Sequence, residues 1–170
     1  MELFTEEEIE DRWARALSLD EAESADSWRR FREEQPGLFA YLTERAESRF
    51  APDVGELLLS TVAILWVVFS EEEEIEQEIN QQLLAGLEHR NGPLLEWLSD
   101  EEPLRHSFQE RFDVLLNQLD DMLDQPHLFQ LAFERIDDAH EDRNPDFDDF
   151  AFALLLFYLK IVIDALDGEF

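Results

Sequence analysis

QPGLFAYLTER, residues 35–45, recurs as QPHLFQLAFER, residues 125–135, so that Gln35, Pro36, Leu38, Phe39, Glu44 and Arg45 return as Gln125, Pro126, Leu128, Phe129, Glu134 and Arg135. Proline suits the first turn of a helix, where its missing N–H has no intrahelical partner to lose. Each copy is therefore predicted to open a helix. Leu38, Phe39, Leu42 and Ala46 fall inward on the first, and Leu128, Phe129, Ala132, Phe133 and Ile136 on the second. A Pro-Asp pair follows each copy, Pro52-Asp53 and Pro145-Asp146, and then a helix apolar on nearly every side. With a three-residue insertion in the second copy, the correspondence covers most of 35–69 and 125–163.

These features predict a compact all-α helical bundle of about seven or eight helices in one domain spanning 1–170. It is expected to comprise two related halves, 1–90 and 94–168, about a pseudo-twofold axis, with the two strongly apolar helices at the centre. A helix apolar all round has to be covered all round. If the chain cannot cover both, the remainder forms a homodimer interface.

Working outward, Thr5 with Glu8 is a capping box opening a helix with Ile9, Trp13, Ala16 and Leu17 on one face. Ser18 with Glu21 is expected to open a second helix, carrying Trp28 and Phe31. Ser70 followed by Glu71 to Glu74 predicts a further helix from there, with Ile75, Ile79, Leu83 and Leu87 aligned. The run His89, Arg90, Asn91, Gly92, Pro93 reads as the turn between the halves, Asn-Gly tolerating positive φ. A short helix at 94–98 follows, then a long one from Pro103 with Phe108, Phe112, Leu115, Leu116, Leu119 and Leu123 inward. Asn144 and Pro145 precede the last helix, which Gly168 ends. No window alternates in the manner of a strand.

The formal charge is −30, from 43 Asp and Glu against 13 Lys and Arg, yet 45% of residues are hydrophobic. Disorder requires low hydrophobicity together with high charge, so a folded core under an acidic shell is expected. Lys160 is the only lysine, a bias compatible with a GC-rich genome or a salt-adapted organism. The absence of cysteine excludes disulfides, thiolate metal sites and thiol nucleophiles. Met1 to Glu10 is acidic where a signal peptide is basic and then apolar, so the expected location is cytoplasmic. Leu57–Phe69 and Phe150–Ile163 fall short of the roughly 20 residues a membrane span needs, and their acidic flanks oppose anionic lipid.

No glycine-rich phosphate loop or nucleophile elbow is present, and no enzymatic activity or cofactor is expected. Glu134, Asp137, His140 and Glu141 form a carboxylate-histidine run on one helix, the candidate metal site. Against it, di-iron bundles need two Glu-x-x-His pairs and two further glutamates, and a solvated helix end is the better reading. Clustered Lys and Arg are lacking, which opposes direct nucleic-acid binding. The reading that remains is a non-enzymatic protein that binds a protein partner, basic in character, through a helical surface. Asp120, Asp121, Asp124, Asp137, Asp138, Asp142, Asp146, Asp148 and Asp149 are its candidate acidic surface. A narrower alternative makes the same carboxylates a mimic of nucleic-acid phosphates, and a third reading is the metal protein. Fourteen Phe and four Trp are assigned to the core.

Overall fold

A computed structural model describes residues 4–71, 75, 77–98, 110, 113, 114, 117, 125–141 and 146–168. The expected helix from Pro103 and the residues Asp120, Asp121, Asp124, Asp142 and Pro145 lie wholly or mostly outside the described residues, as does the side chain of Glu141. Among the described residues there are eight helices and no strand: α1 Glu6–Leu17, α2 Glu21–Glu34, α3 Pro36–Arg49, α4 Pro52–Ser70, α5 Gln81–Arg90, α6 Gly92–Leu98, α7 Pro126–Glu141 and α8 Asp149–Asp167. They pack as a compact all-α bundle.

Three of the prolines begin helices as expected, at Pro36, Pro52 and Pro126. Thr5 accepts from Glu8 N–H while Glu8 Oε2 accepts from Thr5 N–H, completing the predicted capping box. α2 is capped two residues later than expected, by Asp20 with Glu23. Ser18 instead ends α1, its hydroxyl donating to Arg15 O. Asp is the better partner here because its carboxylate also meets the positive end of the helix dipole.

The largest local departure lies after α4. Residues 75 and 77–80 are not helical, and α5 begins only at Gln81, capped by the Asn80 side chain. The cause is a tertiary bracket: the buried Gln35 carboxamide donates to Ile75 O and Gln77 O and accepts from Ile79 N–H. Three backbone groups are satisfied without a helical turn, and Ile79 is buried as the chain passes. The passage is close. A methyl group at Gly37 would overlap the Ile79 carbonyl oxygen, and one at Gly55 would sit 2.7 Å from Ala46 O.

Asn91 also differs from its expected role. It has φ −89° and ψ 2°, and α6 follows at once, so the Asn-Gly pair uses no positive φ. Among the described residues only Gly168 does, at φ 75°, where it ends α8 as predicted.

α8 is the axis of the bundle. Every residue from Phe152 to Asp167 is buried, and α4, α5, α6 and α7 all pack against it. α4 in turn contacts α1, α2, α3 and α8. Its 19 residues are long and apolar enough to cross a bilayer, which corrects the length argument drawn from Leu57–Phe69. The faces of α4 are used within the fold, with Val54, Leu58, Val62, Leu65, Trp66 and Phe69 buried. Trp66 stacks on Phe31 at 5.0 Å between ring centroids, and Phe31 and Trp28 meet Phe39 edge-on. Phe150, assigned to the core from sequence, is 61% exposed.

α8 begins at Asp148, whose carboxylate accepts from Ala151 N–H at 2.8 Å. Asp148→Ala is expected to lower stability by about 1 kcal/mol, seen as a drop of about 2–4 °C in thermal melting. No drop would mean that the packing of α8 alone fixes its start.

Candidate functional site

The described part of the acidic surface gathers at the junction of α7 and α8. Asp138, Asp146, Asp148 and Asp149 are exposed there, whereas Asp137 is only 3% exposed and belongs to the interior. The helix period explains this: Asp137 directly follows Ile136 on the inward side of α7, and Asp138 has turned past its edge. Asp149 Oδ1 lies 3.2 Å from His140 Nε2. Phe150 stands in the same helix start, directly after Asp148 and Asp149 in sequence and exposed like them.

Of the candidate metal ligands, the three with described side chains, Glu134, Asp137 and His140, each lie in separate surroundings. Glu134 accepts from Gln130 at 3.1 Å, Asp137 is buried, and His140 turns to Asp149 with its ring against Phe147 and Phe152 at 5.2 and 4.8 Å. Among the described residues no three His, Asp or Glu side chains come together as a metal site.

Two polar sites were not legible in the sequence. The first is a groove of about 420 Å³ between α3 and α5, lined by Gly37, Tyr41, Glu44, Arg45, Leu84 and Glu88 among others. Tyr41 donates to Glu88 Oε1 at 2.6 Å, Arg45 Nη2 donates to the same oxygen at 3.2 Å, and the Arg45 guanidinium lies over the Tyr41 ring. Burial, reinforced by the bond to Glu88, pushes the Tyr41 hydroxyl well above its ordinary range, so it remains a donor. Tyr158 behind it is shifted the same way by burial.

The second lies in the core. Lys160 and Asp164 form an ion pair one turn apart on α8, both essentially inaccessible. Asn91 Nδ2 donates to Asp164 Oδ2 at 2.9 Å and to Leu87 O at 3.0 Å. Beside them, Gln125 Nε2 donates to Asp167 Oδ1 at 2.7 Å. The signal available in sequence was the spacing of Lys160, Asp164 and Asp167, which places three charges on one stripe of an otherwise apolar helix. Charges this deep persist only when paired and hydrogen-bonded.

Compared with protein-family models, curated proteins and solved structures, the chain matches none.

Proposed function

We propose that this protein acts without catalysis, by binding a basic protein partner through the acidic surface where α7 meets α8. The observation that carries the reading is Phe150, 61% exposed among Asp146, Asp148 and Asp149. Interfaces draw most of their affinity from a few large aromatic anchors, while the charged rim steers encounter and sets partner choice. A largely exposed phenylalanine beside carboxylates of one sign has that anatomy. The net charge of −30 supports a cationic partner and disfavours nucleic acid and anionic bilayers, which carry the same sign. The cytoplasm remains the proposed location.

The test is capture on immobilised wild type and Phe150→Ala in parallel, with a salt step from about 0.1 to 0.5 M to separate electrostatic partners from apolar ones. The expected result is one basic protein held by wild type and bound at least about tenfold more weakly by the variant, the loss of a modest aromatic anchor. Equal binding to both would overturn the reading. If that partner is a nucleic-acid-binding protein and wild type displaces DNA from it, the carboxylates act as a phosphate mimic.

A further inference from the structure

We propose that Arg135, with Ser60 beside it, is a binding site for an oxyanion, a carboxylate or phosphate group taken up by the outer edge of the guanidinium. Arg135 Nε donates to Thr61 Oγ1 at 3.1 Å and Nη2 donates to Ser60 Oγ at 3.3 Å. Both hydroxyls donate their own protons to Leu57 O, so they meet the guanidinium as neutral acceptors. A guanidinium has more N–H groups than these two bonds use. Nη1 and the second N–H of Nη2 have no partner among the described residues. Ser60 is exposed and Arg135 half-buried, so the pair stands at the surface.

What Arg135 lacks is a counter-charge. The chain has 43 Asp and Glu, and Arg15, Arg29, Arg30 and Arg45 each hold a carboxylate oxygen within 3.2 Å. Among the described residues Arg135 holds none. Even Glu134, its neighbour in sequence, accepts from Gln130 instead. Burial pushes the Arg135 guanidinium below its ordinary range, with no carboxylate near enough to oppose the shift. A half-buried charge without a partner is costly, and a guanidinium selects carboxylate and phosphate because its planar fork matches two of their oxygens.

Arg45 shows what the same position does when an anion is present. Arg45 and Arg135 end the two recurring windows, 35–45 and 125–135. Each faces the apolar helix that follows the other window, Arg45 near Tyr158 of α8 and Arg135 at Ser60 and Thr61 of α4. Glu88 of α5 closes the first site, accepting from Arg45 Nη2 at 3.2 Å. No described residue does so for the second. The acidic shell repels a free anion at a distance, but salt screens that repulsion beyond about 8–10 Å and leaves the direct contact intact. The inference is independent of Phe150 and of the partner proposed above.

The test is thermal unfolding of wild type and Arg135→Gln in sodium acetate or sodium phosphate up to about 10 mM, with sodium chloride holding the ionic strength constant. Wild type is expected to melt about 3 °C higher near saturation with at least one of the two, and Arg135→Gln is expected not to respond. A shift with acetate alone assigns the site to carboxylates, one with phosphate alone to phosphate groups, and one with both to the edge they share. No shift of wild type in either salt overturns the proposal. An equal shift in Arg135→Gln also overturns it, because that is a general effect of the salt. If Arg135→Gln does not fold, NMR titration of wild type decides: a saturating movement of the Arg135 Nε–H resonance supports the site, and none refutes it.

Discussion

Asp164→Ala is expected to destabilise the protein by about 3–5 kcal/mol, because it takes the carboxylate from an ammonium that has no surface exposure to retreat to. It also strips Asn91 Nδ2 of one of its two acceptors. The companion variant separates these effects. Replacing both charges, Lys160→Met with Asp164→Leu, removes the desolvation cost along with the attraction, and such exchanges are often neutral or stabilising. What the double variant still lacks is the acceptor for Asn91, a deficit of about 1–3 kcal/mol. It should therefore recover much of the loss. Urea unfolding with an unchanged slope measures both, the midpoint carrying the difference. Asp164→Ala within about 1 kcal/mol of wild type would show that the pair contributes little and that water reaches Lys160.

Gly37→Ala is expected to cost about 2 kcal/mol, whereas Gly86→Ala is expected to gain up to about 1 kcal/mol. Both residues lie inside helices, where alanine is the better helix former by about that amount. At Gly86 nothing stands within 4 Å of the added methyl, so the gain is realised. At Gly37 the methyl meets a backbone oxygen, and the segment bearing it is tied by three hydrogen bonds to Gln35 and cannot move away cheaply. Differential denaturation of the two variants reads the sign directly. Stabilisation by Gly37→Ala would mean that residues 75–79 are held far more loosely than the bracket implies.

The all-α fold was legible because its signals are local or periodic: a capping box at Thr5, proline at three helix starts, glycine after the last helix, and two segments apolar on every side. The 70–80 stretch was misread for the complementary reason. Ser70 and four glutamates have the chemistry of a helix start, and the group that overrules it, the Gln35 side chain, lies some 40 residues away in sequence. The recurring Gln-Pro was read for its proline alone. In the structure both glutamines bury their side chains in tertiary hydrogen bonds while their carbonyls accept the first helical bond of α3 and α7.

The acidic surface was half legible. Charge density is visible in composition, but which carboxylates face water depends on helix phase, and Asp137 and Asp138 fall on opposite sides of that boundary. Phe150 escaped notice because an apolar residue next to a core run looks like its first member. Asn91 was read as a turn residue. Its burial against Asp164 joins positions 73 residues apart, a relation no local pattern carries.

The central place of α8 has a consequence for how the chain is made. α8 follows in sequence every helix that packs against it. On the ribosome, α4 emerges about a hundred residues before α8 is complete, an interval of about 5–20 s at ordinary rates of synthesis. Through that interval the side of α4 meant for α8 faces water or a chaperone, and final folding waits on contacts between distant segments. The formal charge of −30 makes neighbouring nascent chains repel one another through that interval.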